Sequence, residues 1–461
     1  MAFPLRSRTR PGPSRTRGAA TTINSISPVQ LPFSDNFTRA NGPLGSPWTG
    51  LHQLFPTQQD PVGIVSNAVA DIQHIDDDYL GSTVTTGWRG GAFVDTTTST
   101  DFEVVCNIEA GSIAALTTGG PMVLVNPDTN DLGLGCWHNP SFNYIELGTI
   151  SIPPGAPGNT TTGFRFLDVN WCPDLSTAYE LKMRVVGTQV AVYLNGNLFC
   201  GPVTIPTALQ GARRHGIQTD DLLTSSANTP TVSDCTITAN STPLDTYTGA
   251  VITDANRIGT ATKFTSGTTI AVPYPATVTA GDILICVVGN EDNRTISTPA
   301  GWSVVLPSGG FGVIGAVFSK VATGSESGTL TVTNSGAVTS AAGVIFCAQN
   351  VSTYRPVDLA VTGNYGVSPL DAPAQNLIGK GRLVILTSFG SLDAAHTHPV
   401  EFSTIAETGA GGAGCKLKVS GQAPTFTGTD TPYTVLPAAT VTASGQIIVN
   451  AQFQIYPKTH T

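Results

Sequence analysis

Apolar side chains occupy every second position along residues 178–201, AYELKMRVVGTQVAVYLNGNLFCG: Tyr179, Leu181, Met183 and Val185, then Val190, Val192 and Leu194. A period of two predicts strands with one buried face and one wet face. Two turns punctuate the run. Gly187-Thr188 joins the first pair of strands, and Asn195-Gly196 supplies the positive φ angles of a type I′ turn into a third. The alternation returns in FEVVCNIEA at 102–110 and VSDCTITAN at 232–240, while between 31 and 240 no helical period extends beyond a turn or two near 205–214. This pattern predicts an antiparallel sandwich.

Past residue 256 the apolar segments lengthen. AGDILICVVGN at 280–290, GVIGAVFSKVA at 312–322, SGTLTVTNSG at 327–336, AAGVIFCAQNV at 341–351, GRLVILTSFG at 381–390 and GQIIVNAQFQIYP at 445–457 all read as strands. The expected organisation is all-β: an extended basic arm at 1–30, a jelly-roll-like sandwich over 31–242, a polar linker over 243–256 and a second antiparallel sandwich over 257–461.

Composition agrees with many short strands joined by turns. Of 461 residues 11 % are charged, against roughly 25 % in ordinary soluble domains, and there are 50 glycines and 32 prolines. No apolar run approaches the 18 or so residues of a membrane helix, and MAFPLRSRTRPGP lacks the apolar centre of a secretory signal, so neither membrane insertion nor export is expected. The eight cysteines show no metal-binding spacing and several alternate with apolar strand residues, which reads as buried, reduced thiols.

Charge divides the chain. Arg6, Arg8, Arg10, Arg15 and Arg17 precede the first acid, Asp35, so residues 1–34 carry +5 while the body carries −14. The arm is rich in Pro, Ser and Thr, and alone it has too little apolar surface to order itself. Its expected role is to anchor the chain to a partner protein through those arginines. A plain solvated tail, nucleic-acid contact and a transit peptide are the other readings; nucleic acid is not expected, and Pro4, Pro11 and Pro13 oppose the helix of a transit peptide.

The stretch DNFTRANGPLGSPWT at 35–49, taken with VAVYLNGN at 190–197, resembles the concanavalin A-like or laminin G-like jelly roll of bacteriophage virion proteins and secreted carbohydrate-binding modules. The resemblance covers about residues 33–240. It implies that the first segment runs beside the last strand, with Phe37 and Trp48 as core anchors and Gly42-Pro43 and Gly45-Ser46-Pro47 as turns. The series TAGDILICVVG, STPAGWSVV and AVFSKVATGSESGTLTV looks like a β-sandwich common in surface proteins of phages that infect Gram-positive bacteria.

Candidate chemistry is sparse. Glycosidases on this scaffold set carboxylates at period two on one face as E-x-D-x-x-E, and the chain has no such pattern: Glu103 and Glu109 are far apart and Glu146 stands without a nearby acid, so no enzyme is expected. IDDDY at 75–79 places Asp76 and Asp78 as candidate calcium ligands on a jelly-roll rim, or as a solvated acidic loop. Calcium is admissible; no cofactor is required. HTH at 396–398 reads as a surface strand, and GAGGAGCK at 409–416 fails as a phosphate loop because Cys415 interrupts Gly-Lys and a strand follows. Trp88, Trp137 and Trp171, with Tyr144 and His138, are candidates for an aromatic platform under a sugar ring; core packing is the competing role.

The resemblance implies a structural protein of a phage virion, assembled in the host cytoplasm. The arm would anchor it among other virion proteins, the sandwiches would project outward, and copies would associate as a trimer or another ring. A minor tail protein is the first expectation, a head fibre or capsid decoration protein a variant of it. The alternative is a carbohydrate-binding module or adhesin that recognises cell-surface glycans.

Overall fold

The computed structural model describes residues 28–458 apart from 38–41, 44–45, 51–61, 66–67, 72–87, 109–116, 127–130, 140–142, 152–162, 173–174, 176, 222–231, 247–248, 311, 353–354, 359–360, 362, 378–380, 392–394, 409–414, 425–433, 437 and 444–446. Among the described residues there is no α-helix, and no helix is long and apolar enough to cross a membrane. The chain is all-β, as its periodicity predicts.

Sixteen strands build the N-terminal part: β1 (Phe33–Asp35), β2 (Gly42–Pro43), β3 (Thr49–Gly50), β4 (Val62–Val65), β5 (Ala68–Asp71), β6 (Trp88–Asp95), β7 (Phe102–Ile108), β8 (Thr117–Val125), β9 (Asp131–Asn139), β10 (Tyr144–Ser151), β11 (Gly163–Trp171), β12 (Tyr179–Val186), β13 (Gln189–Leu194), β14 (Asn197–Thr204), β15 (Arg214–Asp221) and β16 (Val232–Ala239). They form a nine-stranded sheet, in the order β14-β13-β12-β7-β16-β5-β4-β2 with β1 also on β16, and a seven-stranded sheet in the order β11-β10-β9-β8-β15-β6-β3. Alternation decides which side chains meet between them. Tyr179, Leu181, Met183 and Val185 of β12 face Leu134, Cys136, Ile145 and Leu147 of the opposite sheet in one core. Gly187 (φ +56°), Asn195 (φ +49°) and Gly196 (φ +81°) make the two expected hairpin turns, which set the registers Val186↔Gln189 and Leu194↔Asn197.

The opening stretch closes this sandwich. β1 pairs antiparallel with β16, Phe33 opposite Ile237 and Asp35 opposite Cys235, and Phe37 and Trp48 lie in the core. One expected turn is a strand instead. Gly42-Pro43 forms β2 on the sheet's outer edge, the place in a sheet where proline is tolerated.

Beyond residue 250, within the span read from sequence as the second sandwich, one topology occurs twice. The first unit comprises β17 (Thr262–Phe264), β18 (Gly267–Pro273), β19 (Ile283–Asn290), β20 (Ser303–Gly309), β21 (Ile314–Val321), β22 (Thr329–Val338) and β23 (Ala341–Ala348). The second comprises β24 (Asn364–Val367), β25 (Leu370–Ala372), β26 (Gln375–Leu377), β27 (Leu383–Gly390), β28 (Ser403–Glu407), β29 (Lys416–Gln422), β30 (Thr434–Leu436), β31 (Ala439–Val441) and β32 (Ile447–Ile455). Their five-stranded sheets run β17-β23-β19-β21-β20 and β24-β32-β27-β29-β28, position for position the same order, and each is flanked by short ladders, β18–β22 in one, β25–β31 and β26–β30 in the other. Even the turn before the edge strand, β20 or β28, repeats: Trp302 N donates to Pro299 O at 3.1 Å, and Phe402 N to Pro399 O at 3.0 Å.

The two five-stranded sheets pack face to face. Ile283, Ile285 and Val287 of β19 share one core with Ile385 and Phe389 of β27 and with Val449, Ala451 and Phe453 of β32. The intervening Leu284, Cys286 and Val288 enter a second core under the β18–β22 ladder. Central strands buried on both faces explain why these segments read as unbroken apolar runs.

Candidate functional site

On β10, Ile145 and Leu147 enter the core of the jelly roll, so Tyr144 and Glu146 stand on the opposite face of the seven-stranded sheet. Register completes that face. Glu146 lies between Trp137 of β9 and Val169 of β11, and Tyr144 lies opposite Trp171. Tyr144, Val169, Phe166 and Trp171 form an aromatic-rich cluster separate from the core, with the Tyr144 and Trp171 rings edge to face at 4.4 Å.

The three candidate tryptophans therefore part company. Trp171 is half-buried at the end of edge strand β11. Trp137 is on the same face but only 3 % exposed, which leaves no ring face for a sugar in this conformation. Trp88 begins β6, opposite Asp221, and its side chain is outside the described residues. His138 is buried on the other side of β9, its ring edge-on to Tyr179 at 5.9 Å. Asp76 and Asp78, like Arg6, Arg8, Arg10, Arg15 and Arg17, lie outside the described residues, and among the described residues no group of three or more His, Cys, Asp or Glu side chains is placed to hold a metal.

What sequence reading missed is a second wall, supplied by the second C-terminal unit. The Arg355 guanidinium lies over the Trp171 ring at 4.0 Å and 5.5 Å from the Tyr456 ring. Arg382 donates through Nη2 to Asn170 Oδ1 at 2.8 Å and stacks at 4.4 Å on the other available ring, Tyr456. Asp358 organises the wall: its Oδ1 accepts from Tyr456 Oη at 2.6 Å and its Oδ2 from Gln454 N at 3.1 Å. No local signal in YRPVD at 354–358 announces a partner some 180 residues earlier; only a cation near an exposed aromatic could have suggested one. Burial raises the Tyr144 phenol to about 12, with the Arg355 charge opposing, so the hydroxyl stays a neutral donor and acceptor. Trp171 Nε1–H is buried in this seam with no hydrogen-bond acceptor.

Glu146 is buried on the outer face, whereas Asp168 on β11 serves the backbone, its Oδ2 accepting from Gly201 N at 2.7 Å and its Oδ1 from Val169 N at 3.0 Å.

The HTH motif lies inside, contrary to a surface strand. Ser388 Oγ is 2.8 Å from both His396 Nδ1 and His398 Nε2, and His398 Nδ1 is 2.8 Å from Ser420 Oγ. At the equivalent places the first unit has apolar Val288, Ile296 and Phe318. Four polar groups bonded in series replace three packed ones, which is how two imidazoles come to be buried. Burial, followed by the Lys418 charge, lowers His398 to about 3.

No known family's profile matches the chain, and no curated protein matches it. Among solved structures it is similar to the carbohydrate-binding module CBM66 from Bacillus subtilis, at 10 % identity over 43 % of this chain and 96 % of that one, with a TM-score of 0.26. It is also similar to the CBM2 module of the evolved Dit of Lactobacillus casei BL23 phage J-1, at 9 % identity over 44 % of this chain and 93 % of that one, with a TM-score of 0.29. A third is the VIP36 exoplasmic/lumenal domain in its Ca2+/Man3GlcNAc-bound form, at 12 % identity over 43 % and 86 %, with a TM-score of 0.27.

Proposed function

We propose that the chain is a non-catalytic glycan-binding protein whose ligand stacks at the β10–β11 end of the seven-stranded sheet. The observation that carries this reading is the Tyr144–Trp171–Phe166 cluster: aromatic rings held outside the core, with Trp171 and Phe166 half-buried and Tyr144 buried, beside hydrogen-bonding groups. Sugars have apolar ring faces and a rim of hydroxyls, so an indole plane flanked by polar side chains is complementary to them. The different employments of Glu146 and Asp168 support binding over hydrolysis. Calcium, if it takes part, would act through Asp76 and Asp78. The setting we infer is the surface of a phage particle, with Arg6 to Arg17 as the anchor and a homo-oligomer as the working form; this rests on the quoted sequence resemblance and on the arm's charge.

The test is a glycan array with the full-length protein, run with calcium and with chelator. Binding that Trp171→Ala abolishes, with the circular dichroism spectrum unchanged, is the expected result. A wild-type chain that binds nothing under either condition overturns the reading.

A further inference from the structure

Resting on that reading, we propose that the seam between the jelly roll and the second C-terminal unit is an oxyanion subsite, so that the ligand is an acidic saccharide whose anionic group is held by Arg355. Stacking occupies the flat face of the guanidinium on Trp171 and leaves its edge N–H groups to partners in the plane. A carboxylate or phosphate group on a sugar fits that fork in bidentate fashion.

Among the described residues, Asp358 is the side-chain partner of the Arg355 guanidinium. Their contact is 3.4 Å, well beyond the roughly 2.8 Å of a strong charge-assisted bond, and Asp358 is already committed to Tyr456 and Gln454. Exposure then assigns the charge that a ligand meets. The Arg355 side chain is 37 % exposed, while Arg382, Asp358 and Glu146 are all buried. Among the described residues the seam thus presents Arg355 as its accessible cation, backed by an aromatic plane, on a body whose overall charge is strongly negative.

Arg355 could instead be a strut between the units, and the experiment separates the two roles. Titration calorimetry of the full chain is run with tetragalacturonate, with an oligomer of glycerol phosphate and with a neutral galacto-oligosaccharide of similar length. The subsite requires tighter binding of at least one anionic probe than of the neutral one. Arg355→Gln should weaken that anionic binding by about tenfold or more and the neutral probe by much less, and Arg355→Lys should restore part of the anionic loss. Equal binding of charged and neutral probes overturns the subsite while leaving glycan recognition standing. So does an Arg355→Gln chain that melts earlier but binds unchanged. No binding of any probe, together with an empty glycan array, overturns both.

Discussion

Trp48 Nε1 donates to Asp35 Oδ2 at 2.8 Å, tying the end of the opening stretch to its beginning. The other carboxylate oxygen accepts from Phe37 N, also at 2.8 Å, and holds Phe37 at φ +53°, where few non-glycine residues sit. Both rings then reach the core, 5.7 Å apart. One acid thus organises the segment that lies against β16.

Asp35→Ala should strip two donors of their acceptor and destabilise the jelly roll by about 2–6 kcal/mol, since each donor left unsatisfied costs about 1–3. Asp35→Asn, which keeps one acceptor oxygen, should lose less. Chemical denaturation followed by tryptophan fluorescence measures both; equal stability of Asp35→Ala and wild type would show that the staple is idle.

A Cβ at Gly289 would lie 2.3 Å from Phe389 Cδ1 and 2.8 Å from Ile314 O. The ring is fixed between facing sheets, so Gly289→Ala should cost about 1–3 kcal/mol through overpacking. Phe389→Ala should cost about 3–5 kcal/mol through the cavity it leaves. Because both act on one contact, the double variant Gly289→Ala/Phe389→Ala should lose less than the two single changes added together. Additive losses in urea melts would place the strain elsewhere.

Burial lowers His215 to about 4 and His398 to about 3, against 6.5 for a free imidazole. Both therefore bind a proton more weakly folded than unfolded. Stability from them is whole above about pH 6.5 and is lost as the pH falls toward those folded values, because the unfolded chain takes up the protons first. The melting temperature should drop between pH 6.5 and 4, and His398→Asn should flatten part of that slope. A melting temperature unchanged across that window would contradict the buried neutral chain from Ser420 to His396.

All eight cysteines are buried thiols outside any disulfide, and burial raises the thiols of Cys106, Cys136 and Cys200 well above their ordinary value. The thiolate is the reacting form. Iodoacetamide at pH 8 should leave the native protein unlabelled by mass spectrometry and modify all eight sites in denaturant. Rapid native labelling of any one would show that its layer opens.

The amino-acid sequence alone determined what depends on neighbours along the chain. Alternation over 178–201 set strand faces and both hairpins, because a period of two and a turn with positive φ are local requirements. The apolar runs past residue 256 were legible as strands, while their central places in the sheets came from the fold. Trp48 and Phe37 were legible as anchors through resemblance, though the acid that positions them was not. Tertiary structure decided what depends on distant segments. That one topology occurs twice after residue 250 was hidden because each strand tolerates any side chain of suitable volume: Val288 and Ser388 hold equivalent places with no shared chemistry. HTH looked like a surface strand because polar side chains usually are exposed, and only Ser388 and Ser420, brought beside it by pairing, satisfy its imidazoles inside. The separation of Trp171 from Trp137 likewise follows from their places in the sheet, one on an edge strand and one near its middle. Arg355 came to Trp171 through the packing of two units, and such contacts between remote surfaces leave no period or spacing in the chain.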